Sequence, residues 1–196
     1  STLEEICTLC NEAVKYGTAS VCIPPCYIET AKKEFPSLNI CTVIGFPLGY
    51  CTTETKVFET KDAVSKGVDE IDMVINVCYV KNKQFDAVLE EIKAVKAACS
   101  GKLLKVIIET CYLTDEEKIK LCQLVTEAGA EFIKTSTGFG TAGAKAEDIV
   151  LFRENIGENV KIKAAGGIRT KEDMVNFIEL GCSRIGTSGA VKALAD

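Results

Sequence analysis

Short runs of aliphatic and β-branched residues alternate with longer amphipathic stretches along the whole chain. Runs of this length between turn residues predict strands, and apolar positions recurring every three to four residues predict helices. Thr2 to Tyr16 reads as a helix: Thr2 and Glu5 are spaced as a capping box, Gly17 stops it, and Ile6, Leu9, Cys10, Ala13 and Val14 share one face. A strand from Ala19 to Ile23 closes at Pro24-Pro25, and a helix follows over about Tyr27 to Glu34. The same alternation continues through strand Asn39–Phe46, helix Thr53–Lys66, strand Asp69–Asn76 and helix Phe85–Ala98. Next come strand Leu103–Glu109, a helix capped by Thr114 and Glu117, the strand ending in Lys134, and helix Ala146–Asn155. The strand ending in Lys163, a helix started by Thr170 with Asp173, strand Ser183–Thr187 and a short helix near Gly189 complete the pattern.

Regular strand–helix alternation predicts βαβ units and a parallel sheet. An open doubly wound sheet would carry a phosphate fingerprint after its first strand, and Gly45-x-x-x-Gly49 does not supply one. Lysines end several different strands, as catalytic residues do at the mouth of a closed (β/α)8 barrel. The expected fold is therefore an α/β barrel of the TIM type, with seven strands visible and the first of eight missing.

Composition narrows the function. With 47% hydrophobic residues among 196, the chain can bury a full core and reads as one domain. A net charge of −5 with acids and bases interspersed argues against a nucleic-acid surface. No apolar run reaches the roughly 18–20 residues that span a bilayer, so no membrane partner is expected. Eleven cysteines cannot all pair internally. A chain this large and rich in aliphatic residues does not need disulfides for stability, so a reduced, cytoplasmic protein is expected. Cys7-x-x-Cys10 and Cys22-x-x-x-Cys26 raise a zinc reading, but Cys10 falls on the core face of its helix, and the chain holds no histidine. No metal is expected.

The candidate chemistry lies in two strands that each deliver a lysine to their C-terminal end. Glu131-Phe132-Ile133-Lys134-Thr135-Ser136-Thr137-Gly138 is followed by Lys161-Ile162-Lys163-Ala164-Ala165-Gly166-Gly167. A neutral lysine amine attacks a carbonyl to form a Schiff base, an electron sink for C–C cleavage. Two ammonium groups about 5 Å apart repel by roughly 3 kcal/mol at an effective dielectric near 20, which lowers an amine pKa by about two. Lys134 is accordingly assigned the covalent role and Lys163 the electrostatic one. The bland alternative is that both snorkel into water. In Glu70-Ile71-Asp72-Met73-Val74-Ile75-Asn76, Asp72 shares a face with Val74 and Asn76, where it can move a proton or simply pair with a lysine. Lys105, on one face with Ile107 and Glu109, is the supporting partner for it. Gly166-Gly167-Ile168-Arg169-Thr170 and Gly186-Thr187-Ser188-Gly189 each run into a helix, offering backbone N–H groups and a helix dipole to a phosphate.

These residues resemble the deoxyribose-phosphate aldolases, a class I aldolase family, over nearly the whole chain. The resemblance is carried by Val43-Ile44-Gly45-Phe46-Pro47-Leu48-Gly49, Phe58-Glu59-Thr60-Lys61-Asp62-Ala63 and Asp69 to Asn76. It continues in Leu104-Lys105-Val106-Ile107-Ile108-Glu109-Thr110, Phe132 to Phe139 and Ala165-Gly166-Gly167-Ile168-Arg169. It implies reversible cleavage of 2-deoxy-D-ribose 5-phosphate to acetaldehyde and glyceraldehyde 3-phosphate. Lys134 matches the family's Schiff-base lysine, Lys163 its second lysine and Asp72 its proton-relay aspartate. Gly138, Gly166, Gly167, Gly186 and Ser188 fall where the family holds phosphate. It implies no metal and no organic cofactor. The expected partners are a small phosphorylated aldose and a second copy of the chain.

The sequence departs from the family at its start. The family opens with a strand bearing an Asp-His-Thr-like stretch, whereas Ser1 here stands in the helix that should follow, and the C-terminus stops early. The expectation is a single aldolase domain over 1–196, truncated at both ends, from a longer chain. A class I aldolase for another phosphorylated sugar or a keto acid, and a non-catalytic phosphosugar-binding barrel, are the competing expectations.

Overall fold

A computed structural model describes residues 1–195. Helix α1 (Leu3–Tyr16) carries the predicted capping box, Thr2 and Glu5 exchanging bonds, and ends at Gly17 in the left-handed region. Its buried stripe is narrower than predicted. Ile6, Cys10 and Ala13 are buried, whereas Leu9 and Val14 flank the stripe and face solvent.

Strands β1 (Val21–Cys22), β2 (Ile40–Ile44), β3 (Glu70–Val74), β4 (Leu103–Ile107), β5 (Phe132–Lys134), β6 (Lys161–Ala165) and β7 (Arg184–Gly186) form one parallel sheet in chain order. Helices α2 (Ile28–Glu34), α3 (Thr53–Ser65), α4 (Val77–Lys81) and α5 (Phe85–Ala98) connect the first half. Helices α6 (Asp115–Glu127), α7 (Ala146–Asn155), α8 (Lys171–Glu179) and α9 (Ala190–Ala195) serve the second. Arg184 on β7 reaches Glu70 on β3 at 3.3 Å, and Lys163 on β6 reaches Asp72 on β3 at 2.8 Å. Side chains from strands that far apart in the order meet only if the sheet curls round a common interior. The architecture is the seven-stranded TIM-type barrel that the alternation predicts, with β1 and β7 unpaired with each other among the described residues.

Period-two alternation places the core and the site on opposite faces. Ile71, Met73, Leu104, Val106, Ile133, Ile162 and Ala164 point outward and pack with Ile92, Val95, Leu121, Val125 and Phe152 of the helices. The intervening positions hold Glu70, Asp72, Lys105, Lys134 and Lys163, all buried. The apolar core thus lies between sheet and helices, while the interior of the barrel is ionic.

Several strands are shorter than the apolar runs suggest. β3 stops at Val74 because Asn76 leaves the sheet to cap α4, accepting from the Cys78 N–H at 3.1 Å. β4 stops at Ile107, since Glu109 adopts a left-handed conformation (φ 54°) and turns out of the strand. Asn76 and Glu109 therefore do not continue the faces of Asp72 and Lys105. The five-residue α4 is too short to show a helical period in the sequence.

Behind β3, a fully buried ion pair holds the strand end. Lys56 Nζ lies 2.7 Å from Glu91 Oε1 and donates to the Val74 carbonyl at 2.8 Å; Glu91 Oε2 accepts from the Asn76 N–H at 2.9 Å. Burial pushes the Glu91 carboxyl up, with Lys56 opposing it. Removing one partner strands the other charge in the core. Lys56→Met is expected to cost about 3–5 kcal/mol in urea unfolding, and adding Glu91→Leu to recover most of it. Equal losses in the single and double variants would contradict the pairing.

Candidate active site

Asp72 stands at the centre of the barrel interior. Its Oδ2 accepts from Lys134 Nζ at 2.7 Å and from Lys163 Nζ at 2.8 Å. Its Oδ1 accepts from Lys105 Nζ at 2.8 Å and from the Cys41 thiol at 3.2 Å. Sheet register brings these groups together, because Asp72 lies opposite Lys105, and Lys134 opposite Lys163, on neighbouring strands. Lys105 also binds Glu70 Oε2 at 2.7 Å, and Glu70 in turn takes Ser20 Oγ at 2.8 Å and Arg184. Just beyond the lysines, Thr135 Oγ1 donates to the Ala165 carbonyl and accepts from its N–H, both at 3.1 Å, tying the ends of β5 and β6. Lys134, Lys163, Asp72 and Lys105, each singled out in the sequence, form one cluster.

The electrostatics correct one expectation. Burial alone would raise the Asp72 carboxyl, but Lys134, Lys163 and Lys105 outweigh it and hold Asp72 well below the ordinary carboxylate range. Burial pulls the Lys134 amine down, yet Asp72 and its hydrogen bond leave it above the ordinary lysine value. Repulsion from Lys163 does not govern the resting state, because an anion in contact with both ammonium groups sits between them. Lys105 is likewise raised by Asp72 and Glu70 against burial. The cluster can hold a cation at Lys134 and exchange a proton through a shared carboxylate oxygen.

The glycine loops gather beside these lysines. The Ala144 N–H donates to the Gly166 carbonyl at 3.1 Å, joining the loop after β5 to that after β6. Gly166 (φ +85°) packs so closely that an added β-carbon would stand 3.2 Å from Gly143 Cα and 3.4 Å from Gly138 Cα. A β-carbon on Gly186 would lie 3.1 Å from Lys163 Cε. Thr187 Oγ1 donates to the Ile168 carbonyl at 2.7 Å and accepts from the Gly189 N–H, linking the loops after β6 and β7. Gly167 is exposed at the same turn. Ser188 lines a cavity of about 820 Å³ with Arg169, Lys171, Gly189 and Lys192. The structure thus brings Gly138 and Gly166 into contact, seats Gly186 against Lys163, and sets Ser188 at the edge of a basic cavity.

Sequence reasoning missed Glu70, Cys41, Arg184 and Thr135. For Glu70 the signal was present, two residues before Asp72 on the same strand face; Cys41 and Arg184 needed the register. Glu109, whose carboxylate accepts from Thr137 N–H at 3.1 Å and from Thr137 Oγ1, supports the loop bearing Gly138. The four thiols of the zinc reading do not form one group among the described residues. Cys10 is core, and the Cys7 thiol donates to Glu34. With Asp72 raising Lys134, the neutral amine gains population only as pH climbs toward and past that raised value. Asp72→Asn removes the attraction while burial persists, so acylation of Lys134 at about pH 8 is expected to run roughly tenfold faster than in the parent. Peptide mapping of the acylated lysine across pH checks this, and superimposable profiles would contradict it.

Comparison with known proteins places this geometry. The model of the DeoC/LacD family aldolases matches residues 1–196. The deoxyribose-phosphate aldolase of Clostridium botulinum is 59% identical over 195 residues, covering 99% of this chain and 88% of that protein. That of Clostridioides difficile is 56% identical over 195 residues, covering 99% and 89%. The solved tetrameric deoxyribose phosphate aldolase of Aeropyrum pernix superposes with a TM-score of 0.91 at 33% identity, covering all of this chain and 84% of that one. With Asp72 and three lysines in the interior of a TIM-type barrel, and with these relatives, the chain belongs to the DeoC/LacD family of aldolases.

Proposed function

We propose that this aldolase reversibly cleaves 2-deoxy-D-ribose 5-phosphate to acetaldehyde and D-glyceraldehyde 3-phosphate through a Schiff base on Lys134. The observation that carries the assignment is the single carboxylate oxygen of Asp72 in contact with both Lys134 and Lys163. The substrate follows the names of the relatives. The amine must shed its proton before attacking the C1 aldehyde, and Asp72 Oδ2 at 2.7 Å is the adjacent acceptor. So acidic a carboxyl does not keep that proton and releases it to solvent water at the barrel mouth, while Lys163 stays bonded to the same oxygen. After imine formation, the same pair removes the C3 hydroxyl proton, directly or through water. The C2–C3 bond breaks, its electrons enter the iminium, and the acetaldehyde enamine is protonated and hydrolysed. Lys105 touches no reacting atom in this scheme and fixes Asp72 from behind.

The phosphate is assigned to the loops of Gly138, Gly166, Gly167, Gly186 and Ser188. Their backbone N–H groups and the basic cavity beside them are suited to an oxyanion. Self-association is supported by the tetrameric form of the Aeropyrum pernix relative. A dimer of this chain is the proposed assembly. A cytoplasmic setting is supported by eleven free cysteines. No helix is long and apolar enough to cross a membrane among the described residues.

Borohydride reduction in the presence of acetaldehyde is expected to leave an ethyl adduct on Lys134. Lys134→Ala is expected to lose both the adduct and turnover, by on the order of 10⁴-fold or more. Near-normal turnover in that variant would overturn the assignment. Gly166→Ala, strained at positive φ, is expected to raise KM for the phosphorylated sugar about tenfold and leave that for 2-deoxyribose within about twofold. Equal changes for both sugars would remove the phosphate from this loop.

A further inference from the structure

Cys22 and Cys41 are register partners on β1 and β2, and both project into the barrel interior. Their sulfur atoms and an Asp72 oxygen all lie within 4.8 Å of one another. Adjacent strands run about 4.8 Å apart, inside the range of Cα separations that a disulfide spans. Cys22 stands on β1, at one end of the described strand order, whereas Cys41 is fully buried. Cys41 also touches the ionic cluster, donating to Asp72 Oδ1 at 3.2 Å and receiving Lys105 Nζ at 3.5 Å.

We propose that Cys22 and Cys41 form a redox-active dithiol whose oxidation by a small-molecule disulfide reversibly lowers aldolase activity. Cys22 is the attacking thiol. Lys134 and Lys163 across the interior favour its thiolate, with burial and Asp72 opposing them. Cys41 is pushed the other way, chiefly by burial, and so waits as the protonated resolving partner. A thiolate beside a protonated thiol, with the two sulfurs on neighbouring strands, is an arrangement that supports exchange. The Cys22 thiolate attacks one sulfur of the oxidant, forming a mixed disulfide and releasing one thiolate. That thiolate takes the Cys41 proton, and the Cys41 sulfur then displaces the second thiolate from Cys22. The two cysteines lose two electrons, the oxidant is reduced to two thiols, and a Cys22–Cys41 bond remains. Closing that bond to about 2.05 Å draws both sulfurs from their present positions. It also takes from Asp72 the thiol proton bonded to Oδ1, next to Lys105. The carboxylate that both lysines share then loses one of the groups that orient it.

The test incubates the whole chain with oxidised glutathione, then follows turnover and maps peptides after alkylation of the remaining thiols. The activity arm rests on the aldolase reading; the peptide arm does not. Expected are a Cys22–Cys41 linked peptide two hydrogens lighter than its reduced halves, a loss of turnover of tenfold or more, and recovery of both with dithiothreitol. Cys22→Ser and Cys41→Ala are each expected to keep their own reduced-state activity under the same treatment. Absence of the linked peptide while other thiols are glutathionylated overturns the proposal. So does a linked peptide with unchanged turnover, or equal inactivation of Cys22→Ser. A chain that turns over no deoxyribose phosphate even when reduced fails the aldolase reading, and the peptide map still decides whether the bond forms.

Discussion

One buried carboxylate holds the site together. Asp72 takes two ammonium groups on one oxygen, and a third with a thiol on the other. A buried cation without a partner is strongly disfavoured, so three lysines can share one interior only because an anion stands among them. This arrangement constrains the sheet as well. The donors come from β2, β4, β5 and β6, the acceptor from β3, and a one-residue slip in any of these strands turns its side chain out into the apolar layer. Lys105 extends the constraint to Glu70 and, through it, to Arg184 on the last strand. Charge pairing therefore fixes both the curl of the sheet and the registry of its strands.

The ends of the strands need separate support, because the ladder of hydrogen bonds stops where chemistry begins. Lys56 and Glu91 bind the carbonyl and amide at which β3 leaves the sheet, two and four residues beyond Asp72. Thr135 binds both backbone groups of Ala165, and Glu109 holds Thr137. The Glu109 backbone sits in a conformation that non-glycine residues rarely adopt, one held only where the surroundings determine it. Side chains thus replace the sheet's own hydrogen bonds around the mouth, leaving the loops free to carry glycines.

Much of this was legible in the sequence. The strand–helix alternation gives all seven strands, and the capping boxes at Thr2, Thr114 and Thr170 mark helix starts that the structure reproduces. Lys134, Lys163, Asp72 and Lys105 stand out because a charged residue inside an apolar run must have a partner. What could not be read is which residues face one another. Cys41 and Arg184 look like an ordinary core thiol and an ordinary surface cation until register puts one against Asp72 and the other against Glu70. Strand ends were overextended for a related reason. Ile75-Asn76 and Ile108-Glu109 continue the apolar run, and only local hydrogen bonding shows that the chain has left the sheet. The same limit applies to Lys134: repulsion between two lysines and a nearby acid are visible in a sequence, but the contact of one Asp72 oxygen with both lysines is not.

A lysine held as ammonium looks ill suited to nucleophilic attack, but its charge state at rest is only part of the matter. In the proposed scheme the bond Lys134 makes to an aldehyde becomes an iminium, which carries the same unit of positive charge at the same nitrogen. An anion 2.7 Å away that raises the amine's proton affinity also stabilises that iminium, the species into which the breaking C–C bond delivers its electrons. Lowering the pKa with a neighbouring cation favours the attack and opposes the intermediate; contact with Asp72 does the reverse. The interior favours the cationic intermediate, and the cost falls on deprotonation before attack. A carboxylate in contact with the departing proton raises that cost at equilibrium, but it shortens the path of the transfer, which needs no reorganisation of distant groups. The same oxygen can then serve both ends of the cycle, accepting a proton when the imine forms and steadying the positive charge while it lasts.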